Sequence, residues 1–241
     1  YNIMIKRTQL VSASNFSYTS SRNSEEMLLT QDTHNALSVL EKKIKEAGGI
    51  LKINSLSRSW GKQQQLRKAY EDYQKLSEEE KKKTKFVPLA AHPGHSFHEA
   101  CRAVDISLSS LKFPNISSDK QLDKFWEISS PLGFTPIIDK PDESMSEAWH
   151  FDFKNEWDPV SKKLGYGVAA QCAILDVGNW DPMVLPDKIR NMFIQAQLLR
   201  LGHYEIGSVD GIVGQKSIKA MKDLNVDAND LNMAAQSLLK M

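Results

Sequence analysis

The chain has 241 residues, 41% hydrophobic and 25% charged, a composition ordinary for a folded globular protein with room for one medium domain and a small one. Lys+Arg 31 against Asp+Glu 30 leaves a formal net charge of +1, which offers no electrostatic basis for binding nucleic acid or an anionic membrane surface. No apolar run approaches the roughly 20 residues that cross a bilayer, the YNIMI start is too short for a signal h-region, and an opening Tyr reads as a processed or trimmed N-terminus.

Residues 1–30 read as a flexible lead-in, with Ser12, Ser14, Ser17, Ser20, Ser21 and Ser24 and few large apolar groups. From Thr33 the residues Ala36, Leu37, Leu40, Ile44 and Ala47 recur at helical spacing, and Gly48-Gly49 provides a stop. Ile50 to Asn54 alternates as a short strand. Trp60 to Leu76 returns to helix, with Leu66, Ala69, Tyr70 and Tyr73 on one face. The EEEKKKTK run after it mixes signs and reads as a solvated helix end or loop.

Pro88, Pro93 and Gly94 interrupt regular structure before HPGHSFHEACRAVDI at 92–106, in which Ala103 to Ile106 has the character of a short strand. A helix is expected over 118–130 with Leu122, Phe125 and Trp126 facing inward, then strands at Phe134 to Ile138 and Ala148 to Phe153. His98, Asp105 and His150 could bind one metal, with His92 and His95 competing for the first position, and Glu147 lies three residues before His150. A catalytic zinc uses three protein ligands of this kind, an open position for water and a nearby base. An extended strand would put residues 147 and 150 on opposite faces, so for both to serve one centre Glu147 must lie in a turn or bulge before the strand. The two cysteines, Cys101 and Cys172, are either separate buried thiols or one bridge suited to an oxidising compartment.

Residues 156–184 read as a connector, in which VAAQCAILDVG is a strand or a packed segment. From Asp187 a helical unit begins, with Ile189, Met192, Phe193, Ala196 and Leu199 on one stripe. The whole is an α+β chain: a lead-in over 1–30, a domain over 31–155 with a small, mostly antiparallel sheet and helices, the connector, and a small three-helix domain over 185–241.

Ser96, His98, Ala103 and Asp105, followed by Glu147, Trp149 and His150, resemble the S-x-H-x-x-G-x-A-x-D and E-x-W-H motifs of the zinc D-alanyl-D-alanine carboxypeptidases, a VanY-like family that includes vancomycin-resistance D,D-peptidases and phage endolysins. Arg58 and Gln63 resemble the family's Arg and the Gln five residues after it, and the likeness spans about residues 33–155. Cys101 departs from the pattern, standing where the family usually has Gly, which implies a backbone compatible with a β-carbon or a local adjustment. The resemblance implies that His98, Asp105 and His150 hold Zn²⁺, that Glu147 is the general base, and that Arg58 stabilises an oxyanion or grips a carboxylate. It makes Ser96 and Gln63 either substrate contacts or supports of the residues that are, and Trp149 a substrate contact in the cleft or a packing residue. Leu201, Gly202, Asp210, Gly211, Gly214 and Ala220 resemble a peptidoglycan-binding three-helix module, although KDLNV departs from its usual close. Together these imply a zinc-dependent peptidase cutting peptidoglycan stem peptides outside the cytoplasm. Two other readings are a silent wall-binding or toxin-associated protein with a structural zinc, and a muramidase using Glu147 and Asp105 as a carboxylate pair. The latter leaves both histidines unexplained.

Overall fold

The computed structural model describes residues 6–241, so the YNIMI start lies outside it. The expected lead-in is instead part of the fold. Leu10–Ser12 (β1) pairs antiparallel with Leu28–Thr30 (β2), and Ala13 and Phe16 are buried in the main core. Serine-rich sequence hides this because three-residue strands are too short to display a period, and two buried side chains suffice to anchor them.

Gln31–Glu46 (α1) buries Leu37, Leu40 and Ile44 and ends where expected. Gly48 takes φ 78°, and the Gly49 amide reaches back to the Ile44 carbonyl at 2.8 Å, satisfying a carbonyl that the helix leaves open. The central sheet comprises Ile53–Ser55 (β3), Ala103–Ile106 (β4), Phe134–Pro136 (β5) and His150–Phe153 (β6). Its order is β3-β4-β6-β5, antiparallel throughout, with Asp105 directly opposite His150. α1 and Gln121–Ser129 (α4) cover one face, and Phe125, Phe134, Phe151 and Val104 fill the space between.

Trp60–Gln74 (α2) forms as expected, but its apolar stripe does not enter the core. Only Gln63 is buried, while Leu66 faces the cleft described below and Tyr73 packs edge-on against Phe86. The helix is a rim, continued by Glu78–Lys83 (α3), whose Ser77 and Glu80 form a reciprocal cap.

Residues 156–184, expected as a connector, fold as two helices, Asp158–Leu164 (α5) and Tyr166–Val177 (α6). α6 is buried nearly all round, so its sequence lacks the periodicity of a surface helix. Pro186–Arg200 (α7) is likewise two-faced rather than single-striped: Ile189, Ala196 and Leu199 pack towards α5, α6 and Phe97, while Phe193, Ile194 and Leu198 pack with Gln215–Asp223 (α8) and Leu231–Leu238 (α9). One helix therefore belongs to two cores. A charged cluster reinforces the joint: buried Arg102 bonds Asp32 at 2.7 Å, Arg7 bonds Asp176 at 2.8 Å, and Gln197 on α7 donates to Asp176 at 3.0 Å.

The Asp210-Gly211 pair is turn chemistry. Asp210 Oδ1 accepts from the Ile212 amide and from Gln195 Nε2, both at 2.9 Å, and Gln195 Oε1 accepts from the Gly211 amide at 2.8 Å. At φ 82°, with a would-be β-carbon only 2.7 Å from Lys188, position 211 admits glycine alone without rearrangement.

Candidate metal centre and active-site cleft

Two adjacent strands and the loop before one of them bring the centre together. β4 carries Asp105, β6 carries His150 at the opposing register position, and His98 comes from the loop leading into β4. Glu99 shapes that loop by accepting from the Gly94 amide at 2.9 Å and the Ser96 amide at 3.2 Å. The three ligand atoms form a compact triangle: His98 Nε2 to Asp105 Oδ1 3.1 Å, His98 Nε2 to His150 Nδ1 3.1 Å, and His150 Nδ1 to Asp105 Oδ1 3.0 Å. All three side chains are buried.

Hydrogen bonds on the far side of each ring fix which nitrogen carries the proton. His98 Nδ1 meets the Leu56 carbonyl, which can only accept, so Nε2 presents a lone pair to the triangle. His150 Nε2 donates to Asp152 Oδ1 at 2.8 Å, so Nδ1 does the same. With His150 neutral, two nitrogen lone pairs and a carboxylate oxygen thus face one another at contact distance, an arrangement that repels unless a proton or a metal cation lies between. A tetrahedral zinc with bonds of about 2.0–2.1 Å has ligand edges of about 3.3–3.4 Å, close to the triangle seen here. The donor set fits a zinc-like cation.

The electrostatics agree. Burial disfavours the charged form of His150, but Asp152 and Asp105 outweigh it and push its pKa up to about 10. Burial lowers that of His98 against the pull of Asp105. Burial also works against ionised Asp105, yet His98 and His150 hold its carboxyl far below the usual range. The pocket is thus tuned for positive charge at its centre.

Glu147 lies in a turn, as the spacing to His150 requires: its φ is 66°, and the His150 amide donates back to the Glu147 carbonyl at 3.0 Å. Burial raises its pKa, with His150 opposing. Glu147, Trp149 and Ser96 line a cleft of about 430 Å³ with the three ligands. Its opposite wall is apolar, formed by Val87, Pro88, Leu89 and Leu66, with Ile137 at the rim.

Arg58 reaches this cleft, with its guanidinium 3.7 Å from Asp105 Oδ2. Gln63 does not line the cleft. It is fully buried, accepts from Arg58 Nη1 at 2.8 Å through one end and donates to the Ala91 carbonyl at 2.7 Å through the other. It orients Arg58 and ties the apolar wall to α2. His92 and His95 are exposed and apart from the triangle. Asp105 is committed to the two imidazoles, leaving Glu147 without a second free carboxylate for glycosidic chemistry. Cys101 and Cys172 are free, buried thiols in place of the bridge entertained above; burial pushes the Cys101 thiol up to about 12 and raises that of Cys172 as well. At φ 56°, Cys101 keeps the left-handed backbone that the resembled motif assigns to glycine.

Sequence reasoning missed Asp152, Leu56 and Tyr166. A strand's period of two places Asp152 on the face of His150, so that partner was readable, whereas the Leu56 carbonyl left no side-chain signal.

A small antiparallel sheet thus carries two imidazoles and a carboxylate that could hold a metal ion, in a cleft with a second carboxylate alongside. Residues 26–156 match the VanY family model, D-alanyl-D-alanine carboxypeptidase, and the chain belongs to that family. Among solved structures it is similar to the LdcB LD-carboxypeptidase, at 22% identity and TM-score 0.42 over 61% of this chain and 68% of that one. It is also similar to VanYB in complex with D-alanine-D-alanine, at 21% identity and TM-score 0.39 over 63% and 84%. A VanY D,D-pentapeptidase variant in complex with Zn(II) is 20% identical, with TM-score 0.38 over 71% and 92%. No curated protein matches the chain.

Proposed function

We propose that this protein is a zinc-dependent peptidase that cleaves peptidoglycan stem peptides, with His98, Asp105 and His150 as the metal ligands and Glu147 as the general base. The observation that carries it is the convergence of three ligand lone pairs on one point beside Glu147, in a chain of the VanY family. Zinc held there supplies Lewis acidity that makes water nucleophilic near neutral pH. Glu147 accepts a proton from the attacking water and delivers it to the departing amine. Arg58 pairs with a terminal carboxylate or with the oxygen on which charge develops, a task suited to a fixed, always-charged fork. Ser96 and Trp149 shape the cleft around the scissile bond, while Gln63 acts on substrate only through Arg58.

The unit formed by α7, α8 and α9 is the second part of the proposal, a peptidoglycan-binding module that keeps the peptidase near its substrate and raises effective concentration there. Its fusion through α7 to the core around α5 and α6 favours a fixed distance between wall contact and cleft. Such a substrate places the protein outside the cytoplasm, and among the described residues no helix is long and apolar enough to cross a membrane.

The test is digestion of purified sacculi and of soluble stem pentapeptide with zinc-loaded protein and with Glu147→Ala, read by mass spectrometry. Free D-alanine or separated stems from the wild type alone is the expected result. Intact substrate from both would refute a peptidase, and cleaved glycan would refute the assignment of the bond.

A further inference from the structure

The family match ends at residue 156, yet three segments of the candidate site are held by residues that follow it. α6 opens at Tyr166, which lines the cleft with Ser96, His98 and His150. Its phenol donates to Asp152 Oδ1 at 3.5 Å. Its ring packs edge-on against that of Phe97, with centroids 5.3 Å apart. Phe97 immediately precedes His98, and Asp152 fixes the ring of His150. One side chain therefore touches both the residue beside one imidazole and the carboxylate that orients the other.

Just beyond α6, Asn179 donates through Nδ2 to the Arg58 carbonyl at 3.0 Å and to the Glu99 carbonyl at 2.7 Å. The Arg58 amide in turn donates to the His98 carbonyl at 3.0 Å. Arg58 is thus held at both its amide and its carbonyl, and the residue after His98 is pinned from the same point. An apolar seam of Phe97, Ala100 and Ala103 against Ala169, Ala170 and Ala173 presses α6 onto this region. Packing alone would be served by a phenylalanine; what the hydroxyl adds is the contact with Asp152 Oδ1, the oxygen that also accepts from His150 Nε2.

We infer that α6 completes the active site from outside the family domain, with Tyr166 positioning the two histidine ligands and Asn179 positioning Arg58. The inference rests on the zinc-peptidase reading above. Outer partners of metal-bound histidines are worth about 10–100-fold in metal affinity, and Tyr166, acting through a long bond to such a partner, falls at the low end.

The experiment uses the full chain. Zinc affinity is measured by competition with a chromophoric chelator for wild type and Tyr166→Phe, alongside the melting midpoint of the zinc-free proteins. The expected result is about tenfold weaker zinc binding at an unchanged zinc-free midpoint. Failure of the wild type to bind zinc would overturn the zinc-peptidase reading itself; equal affinity of wild type and Tyr166→Phe would overturn this inference alone. Asn179 is tested by a double-mutant cycle in kcat/KM: Asn179→Ala should raise KM more than it lowers kcat, and the loss should vanish in an Arg58→Ala background. Additive losses would refute the positioning role, and this arm decides the matter if Tyr166→Phe does not fold.

Discussion

Cys101 and Cys172 offer a controlled comparison, because both are buried thiols at 2% and 0% exposure and differ chiefly in backbone. Cys101 sits at φ 56°, where a β-carbon costs about 1–2 kcal/mol, whereas Cys172 lies in regular α-helix inside α6. Truncation to glycine removes the same buried methylene and sulfur at each, a loss of about 1.5 kcal/mol from area alone. At position 172 glycine adds about 1 kcal/mol for its poor helix propensity, plus a cavity contribution, so Cys172→Gly should destabilise by about 3 kcal/mol. At position 101 relief of the left-handed strain offsets most of the loss, so Cys101→Gly should fall within about 1 kcal/mol of wild type. Urea unfolding at neutral pH under reducing conditions reads both, and for a chain of this length the 172 variant should melt about 6–12 °C lower. Equal destabilisation at the two positions would refute the claim that Cys101 occupies a strained site meant for glycine.

Asp32 gives a prediction in pH. Burial opposes its ionisation, but Arg102, Thr30 and Asn155 outweigh it and hold its pKa to about 2 against the ordinary 3.8. A depressed carboxylate stabilises the fold above about pH 3.8 and loses that contribution as pH falls through about 2. The gap corresponds to about 2 kcal/mol, reduced by solvent to about 1 kcal/mol for a side chain 34% exposed, so the stability difference between wild type and Asp32→Asn should shrink from about 1 kcal/mol at pH 5 towards zero at pH 2. A difference that does not vary with pH would remove Asp32 from the account. Gln63→Leu should cost about 2–3 kcal/mol of stability by stranding the Ala91 carbonyl and one Arg58 donor, and should raise KM for stem pentapeptide more than it lowers kcat; unaltered kinetics would show that Arg58 needs no such orientation.

The parts of the site legible in the sequence were those whose chemistry lies in side chains at short, fixed spacing. β4 appears over Ala103–Ile106 as its apolar pattern implies, and His98, Asp105 and His150 meet as the motif order implies. What escaped was carried by elements without a one-sided period. α6 reads as an apolar run because it is buried on nearly every side, and α7 serves two cores, so neither shows the contrast between a wet and a dry face from which helices are read. α2 presents the converse case: its Leu66 and Tyr73 have helical spacing, but the stripe faces a cleft and a loop rather than the core. Periodicity reports that one face differs from the other, not what that face meets.

The two non-glycine residues with left-handed backbone in the site segments, Cys101 and Glu147, have a common geometric origin. β4 and β6 pair so that Asp105 faces His150, which leaves His98 and Glu147 to be supplied by chain that turns sharply just before each strand. Before β4 the turn places the Cys101 amide 3.2 Å from the His98 carbonyl and the Arg102 amide 2.9 Å from the Phe97 carbonyl. Before β6 it places the Ala148 amide 3.3 Å from the Met145 carbonyl and the His150 amide 3.0 Å from that of Glu147. In both, a positive φ lets one residue reverse the chain within hydrogen-bond reach of the strand. Residues held this way persist where the surroundings over-determine them, here by the paired strands and by the ties from Thr30 to the Cys101 carbonyl and from Asn179 to Glu99. The left-handed turn at Glu147 is therefore part of how a carboxylate three residues before His150 comes to share its cleft.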